Sequence, residues 1–403
     1  MMDKNKNNVS TVTPKGAYLA LIFAFLALAI NFWAWSILSP LGVRYADELS
    51  LSPTLLAVLL ATPVIIGSIG RIFLGALTDK FGGRLMFIAV CFLVMLPIIS
   101  LAFSHNYWQL MGGAFFLGIS GATFVIGIPF VSAWFPPNKR GLALGIYSMG
   151  NAGTAVSGFL TPRIDHAIGR QLTFLLVGML LFIVALIFII FVKNAPCWKP
   201  AKGSSLKRLS QACKYRITWD LSAIYFITFG AFVAFGVYLP VLLKLSYNLS
   251  LTDAATRAAG FILVATLARP VGGWLSDRFG GSVVIRISLI FVALLACIVA
   301  FQPVLYLHTT FAYLCLAFAL GCCNGAVFAL VGKLSKPDIM GSITGIIGAI
   351  GGIGGFLPPL VLGITYQATH SYSLALILLA VCAIILWLYI NRQFKAPIYK
   401  RIG

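Results

Sequence analysis

Acidic residues are scarce in this chain: nine Asp plus Glu in 403 residues, with only 9% of residues charged at all. A water-soluble domain carries about 25% charged and 45 to 50% apolar residues, whereas here 60% are hydrophobic, so a soluble globular fold is excluded. Histidine is also rare, at four. No paired carboxylates, no metal-spaced His/Cys set and no nucleophile elbow occur, so the chain is not read as an enzyme, and neither cofactor nor metal is expected. The eight cysteines fall mostly within apolar runs and form no disulfide framework. The excess of 29 Lys plus Arg gives a formal charge of +20. Nucleic acid is not the expected partner, because the basic residues sit between long apolar runs and form no patch on a soluble fold.

What is present is apolar length. A helix needs roughly 20 apolar residues to cross about 30 Å of hydrocarbon, and twelve segments qualify, at about 17 to 38, 54 to 76, 85 to 104, 108 to 134, 139 to 162, 171 to 193, 217 to 243, 254 to 276, 283 to 303, 306 to 331, 339 to 366 and 372 to 391. They are numbered spans 1 to 12 below. The expected fold is an all-α membrane protein, since backbone polar groups in lipid must be satisfied within the helix. The first run is longer than a secretory leader's and lacks an A-x-A-like site, so it is read as a retained span. Placing the N-terminus inside puts 22 basic residues on the cytoplasmic side and five outside, which by the positive-inside rule makes both termini cytoplasmic. The expected divisions are a tail (1–16), a six-helix bundle (17–193), a basic cytoplasmic linker (194–216), a second six-helix bundle (217–391) and a tail (392–403).

The two bundles repeat each other. Arg71-Ile-Phe-Leu-Gly-Ala-Leu-Thr-Asp-Lys-Phe-Gly-Gly83 matches Arg269-Pro-Val-Gly-Gly-Trp-Leu-Ser-Asp-Arg-Phe-Gly-Gly281 at seven of thirteen positions. Span 5 (Gly141, Gly145, Gly150, Gly153) and span 11 (Gly341, Gly345, Gly351, Gly354) echo each other in glycine. Duplicated halves around a site near the midplane suit a carrier that rocks one half against the other.

These residues carry a resemblance. Gly75-Ala-Leu-Thr-Asp79-Lys-Phe-Gly82-Gly83-Arg84 resembles the loop 2-3 signature of the major facilitator superfamily, and Gly273 to Gly281 resembles its second copy. Ala133 to Ala155 and Gly345 to Phe356 resemble the glycine-rich signatures of the nitrate/nitrite porter family. The resemblance covers essentially the whole chain. It implies the twelve-helix fold of two pseudo-symmetric halves and alternating-access transport of nitrate or nitrite.

Arg71 and Arg269 are the two basic residues left inside the membrane. Each precedes its loop aspartate, Asp79 or Asp277, by eight residues, which places it about 12 Å from the helix end, near the midplane. Such a charge costs at least about 2.5 to 3.5 kcal/mol and faces the bundle interior. Every acid lies at a helix end, in a loop or in a tail, so no carboxylate is expected to neutralise them. The missing counterion is then the substrate, an anion, and the flat guanidinium fork suits a planar oxyanion. Two such charges about 8 Å apart repel by roughly 2 kcal/mol at an effective dielectric near 20. The empty carrier should therefore close with difficulty.

Tyr225 and Phe229 share a face of span 7 at a spacing of four, and the resemblance implies that aromatics there flank the anion. Phe124 on span 4 is a third aromatic candidate. Asn151, polar within span 5, is placed at the cavity by the same resemblance, with Ser148 the other polar group nearby. Gly150, Gly153, Gly351 and Gly354 are expected to bare backbone to the cavity and to let spans 5 and 11 slide during gating. Gly82 and Gly83 allow a sharp reversal. Asp79, able to pair with Arg84 or Arg140, and its counterpart Asp277 are implied to latch the outward-facing state.

The expected function is nitrate and/or nitrite transport in the cell membrane, by nitrate/nitrite exchange or proton-coupled nitrate uptake, as in nitrate assimilation. No buried carboxylate or histidine stands ready as a proton relay, which favours exchange or coupling through water and substrate. The alternatives are a porter for formate, oxalate or cyanate, and a non-transporting anion receptor, for which tails of about 16 and 12 residues leave little output domain. The expected partners are the anion and the lipid bilayer, and the expected state is a monomer.

Overall fold

The computed structural model describes residues 13–247, 249, 251–301, 307–369 and 372–393, and these contain helices and turns but no strand. Most of the two tails lies outside the described residues. In chain order the spans are Ala17–Ser36, Pro53–Phe81, Gly83–Ala102, a fourth built of Tyr107–Gly121 and Phe124–Trp134, a fifth built of Pro137–Ser148 and Gly153–Ile168, then Arg170–Ile190, Arg216–Tyr247, Leu251–Phe279, Gly281–Ala300, Leu307–Leu334, Met340–Thr369 and Ser373–Gln393.

Ten of these are long and apolar enough to cross a membrane among the described residues, and Met340–Phe356 is a shorter apolar helix. Span 5 is the exception. A 3₁₀ turn, Met149–Ala152, interrupts it, where a continuous helix over 139 to 162 is expected from the sequence. A tightened turn inside a helix often marks a hinge, and this one contains Gly150 and Asn151. Two short helices also lie outside the spans: Gly42–Glu48 between spans 1 and 2, and Ser205–Lys214 between spans 6 and 7.

Side chains facing away from the bundle are large and apolar, such as Leu96, Phe159, Ile190 and Phe311, as lipid contact requires. Spans 3 and 6 pack together at one edge, and spans 9 and 12 at the other. Across the centre, span 2 runs along span 11 and span 5 along span 8. Glycine permits that approach. A Cβ on Gly345 would meet the Arg71 carbonyl at 2.5 Å, and one on Gly145 would meet the Arg269 carbonyl at 2.7 Å. The duplication seen in the sequence is thus a pair of equivalent crossings, each placing one arginine against a bare backbone.

Spans 2 and 3, 5 and 6, and 8 and 9 are joined through single glycines with positive φ: Gly82 (81°), Gly169 (82°) and Gly280 (89°). The reversal expected of the Gly82-Gly83 pair therefore belongs to Gly82 alone. Gly83 begins the next helix, and a Cβ there would stand 2.5 to 2.8 Å from the Phe130 side chain. Overpacking of that kind costs about 1 to 3 kcal/mol. Gly83→Ala should accordingly lower the melting temperature of the purified protein, whereas Gly112→Ala, with nothing within 4 Å of its added methyl, should leave it unchanged or slightly raised.

The face bearing the Ser205–Lys214 helix is closed by contacts between the halves. Asp79 of span 2 accepts from Gly341 N (2.6 Å), Ser342 N (2.9 Å) and Ser342 Oγ (2.7 Å) at the start of span 11. Asp277 of span 8 accepts from Gly141 N (3.0 Å) and Leu142 N (2.9 Å) near the start of span 5, with Lys333 Nζ 3.6 Å away. Neither Arg84 nor Arg140 pairs with Asp79: Arg84 donates to the Phe188 and Ile189 carbonyls, and Arg140 donates to those of Phe135 and Gly332. For Asp79 the physical reason is that the start of the Met340–Thr369 helix exposes N–H groups without partners and the positive end of the helix dipole, which together draw a carboxylate. On the opposite face, Arg44 bridges Glu48 (2.7 Å) and Asp165, and its hydrogen bond holds the Glu48 carboxyl below the usual range.

Candidate functional site

Arg71 and Arg269 are 2% and 1% exposed, among the most deeply buried large side chains in the protein. Arg71 donates from Nε and Nη2 to the Gly121 carbonyl (3.2 Å each) and from Nη1 to the Gly348 carbonyl (2.7 Å). The first acceptor lies at the break in span 4, where the helix ends at Gly121 and resumes at Phe124. The second lies in the glycine run of span 11. Arg71 thus ties its own half to the other through backbone oxygens.

Arg269 is less completely satisfied. Its Nη1 lies 3.5 Å from the Ser148 carbonyl, and its Nε has no hydrogen-bond partner. Turned so that its oxygen faces the guanidinium, the Asn151 amide accepts from Nη1 and, at 3.2 Å, from Nη2; this is the orientation in which both groups are satisfied. The 3₁₀ turn in span 5 therefore brings both Ser148 and Asn151 to Arg269. Among the described residues, no carboxylate forms a salt bridge with either arginine.

One aromatic ring lies within 6 Å of both charges. The Phe229 centroid is 5.9 Å from Arg71 Cζ and 5.8 Å from Arg269 Cζ, and Phe232 is 5.0 Å from Arg269 Cζ. Tyr225 stacks on Phe229 (4.8 Å, 17°). Phe328 of span 10 meets Tyr225 edge-on (4.9 Å) and Phe124 edge-on (4.8 Å), and Phe124 stacks with Tyr147 (6.0 Å). Spans 4, 5, 7 and 10 thus contribute to a continuous aromatic wall around two guanidinium groups. In this buried setting charge interactions are screened far less than in water.

All six residues expected at the site, Arg71, Arg269, Tyr225, Phe229, Asn151 and Phe124, are gathered here. Phe328, Tyr147 and Phe232 complete the wall and were not singled out by the sequence. In a chain with 31 Phe only a contact partner distinguishes them. The glycines divide by role. A Cβ on Gly351 would run into the Tyr225 ring, and one on Gly354 would meet Phe226 of span 7. Gly150 and Gly153 instead pack against Leu28 and Ala29 of span 1, a contact between helices.

The chain is similar to several known proteins. The profile of the Major Facilitator Superfamily matches residues 24–359. A Mycobacterium tuberculosis protein named "Probable nitrate/nitrite transporter NarK2" is 40% identical over 388 residues, covering 95% of this chain and 98% of its own. The "Nitrite extrusion protein" of Bacillus subtilis is 37% identical over 94% of this chain and 96% of its own. The "Probable nitrate transporter NarT" of Staphylococcus haemolyticus is 38% identical over 96% and 99%. Among solved structures, the Major Facilitator Superfamily transporter FucP in its outward conformation superposes with a TM-score of 0.76 at 18% identity, covering 93% of this chain and 99% of that one.

Proposed function

We propose, from the premise that the chain belongs to the Major Facilitator Superfamily, that this multi-pass membrane protein carries nitrate and nitrite by alternating access between its two six-helix halves. The observation that carries the reading is the pair of buried arginines near one aromatic ring, with no carboxylate paired to either among the described residues. Relatives 37 to 40% identical over nearly the whole chain carry nitrate, nitrite or both in their names. The anion neutralises Arg71 and Arg269 together, with Tyr225, Phe229 and Phe124 as walls and Asn151 orienting Arg269. The chain is not an enzyme: its chemistry is binding and release.

The halves, 17–193 and 217–391, move about the site, and the segment 194–216 joins them on the cytoplasmic side of the cell membrane, where both termini lie. One chain contains a complete site, so a monomer suffices. Because each Cζ lies within 6 Å of the Phe229 centroid, the two charges are at most about 12 Å apart and repel by at least about 1.4 kcal/mol at an effective dielectric near 20. That repulsion hinders closure of the empty site, so exchange of one anion for another outpaces return of the empty carrier.

Uptake of labelled nitrate and nitrite into proteoliposomes, each competed by formate and cyanate, tests the substrate. Efflux measured with and without external anion tests the exchange. Saturable uptake of nitrate or nitrite, with efflux several-fold faster toward an anion, is expected. Transport of formate or cyanate in preference to either would overturn the reading, and equal efflux in both conditions would remove the exchange mechanism.

A further inference from the structure

Asn324 lies within span 10 and is 1% exposed. It precedes Phe328 by four residues and so shares its face of the helix, the face on which Phe328 meets Tyr225 and Phe124. The next residue, Gly325, lies so close to span 8 that a Cβ there would stand 3.1 Å from Arg269 Cα. Asn324 is therefore at the depth of Arg269. From span 7, Thr228 reaches it: Thr228 Oγ1 lies 2.8 Å from Asn324 Oδ1 and 2.9 Å from the Ile224 carbonyl. Thr228 follows Tyr225 by three residues and so neighbours it on the surface of span 7. The Thr228 hydroxyl has one proton for these two acceptors; directed at Asn324, it fixes the amide oxygen and leaves the amide nitrogen over.

That nitrogen is buried and has no hydrogen-bond partner. A buried donor without a partner is disfavoured and is rare in folded proteins, so one held in place at the depth of Arg269, beside the aromatic wall, calls for an acceptor that arrives with the substrate. We propose that Asn324 is a specificity-determining residue that donates through Nδ2 to an oxygen of the bound anion. This inference rests on reading the central site as a nitrate and nitrite site.

Nitrate presents three oxygens in one plane and nitrite presents two. Two guanidinium groups account for two oxygen edges, and the third oxygen of nitrate requires another donor. Asn324 supplies it, Thr228 sets its direction, and nitrite has no third oxygen to receive it. Asn324 therefore favours nitrate over nitrite.

The test is a paired measurement of KM and kcat for labelled nitrate and labelled nitrite in proteoliposomes bearing wild type, Asn324→Ala, Asn324→Ser, Asn324→Asp or Thr228→Val. Loss of one hydrogen bond to a charged acceptor corresponds to about a tenfold change. The expected result is a nitrate KM raised about tenfold in Asn324→Ala, a nitrite KM within about twofold of wild type, and similar kcat values. Thr228→Val, which frees the amide without removing it, should shift the same ratio less. Asn324→Asp, which sets a carboxylate against the anion, should abolish uptake of both. If Asn324→Ala does not reach the membrane folded, Asn324→Ser and Thr228→Val provide the same comparison. A nitrate-to-nitrite KM ratio equal to wild type in these variants, or nitrate uptake by Asn324→Asp at the wild-type rate, would overturn the inference while leaving the carrier reading intact. A wild-type protein that transports neither anion would overturn both.

Discussion

Replacing either Arg71 or Arg269 by lysine should lower kcat/KM for nitrate by about 100-fold while the protein still folds and reaches the membrane. Lysine keeps the positive charge and most of the length but loses the planar fork of donors. For Arg71 the loss is specific: Nε and Nη2 bond the Gly121 carbonyl and Nη1 bonds that of Gly348, so one flat group joins the break in span 4 to the glycine run of span 11. An ammonium cannot hold both acceptors and an anion in the same plane. For Arg269, the contacts to Ser148 and Asn151 would be the ones given up. Hydrogen bonds involving charged groups contribute about 1.5 to 3 kcal/mol each, and a tenfold change corresponds to about 1.4 kcal/mol; two such bonds at the lower end of that range give the stated magnitude. Initial rates of labelled nitrate uptake, normalised to protein in the membrane, measure it. Full activity in either variant would dissolve the two-arginine site.

The second large effect is expected from Asp79→Asn. Its carboxylate collects three donors at the start of span 11, and the asparagine would turn an NH2 group toward some of them. The state closed on the linker face then loses about 2 kcal/mol, a roughly 30-fold shift in population. Turnover should fall more than affinity, because the residue stands well away from the aromatic wall. Hydrogen exchange of the Gly341 and Ser342 amides, which Asp79 holds, should accelerate by a comparable factor. A variant with normal turnover, weakened affinity and unchanged exchange would contradict the latch. Asp277→Asn should act in the same direction, since Asp277 makes the equivalent contact with Gly141 and Leu142.

The parts of this arrangement legible in the sequence were those governed by one-dimensional rules. Apolar length marked the spans, and the cost of burying charge made Arg71 and Arg269 conspicuous without knowledge of their neighbours. A four-residue spacing was enough to pair Tyr225 with Phe229. Contacts between distant segments were not legible. Asp79 bonds residues more than 260 positions away, and the sequence offered Arg84 and Arg140 in their place because opposite-charge pairing is visible in a string of letters while a helix start is not. The Gly121 and Gly348 carbonyls that hold Arg71 are backbone atoms and leave no residue signature. The 3₁₀ turn that brings Asn151 to Arg269 had a weak signal in Gly150, obscured by the many other glycines of spans 5 and 11.

The central claim is that the anion is the counterion these two arginines lack. It is tested most directly by equilibrium binding of labelled nitrate to the purified protein and to the double variant Arg71→Gln, Arg269→Gln, whose site carries no charge. The account predicts saturable binding of one nitrate per wild-type chain and none to the double variant, with both proteins equally folded by thermal unfolding. Nitrate bound by the uncharged site as tightly as by wild type would contradict it.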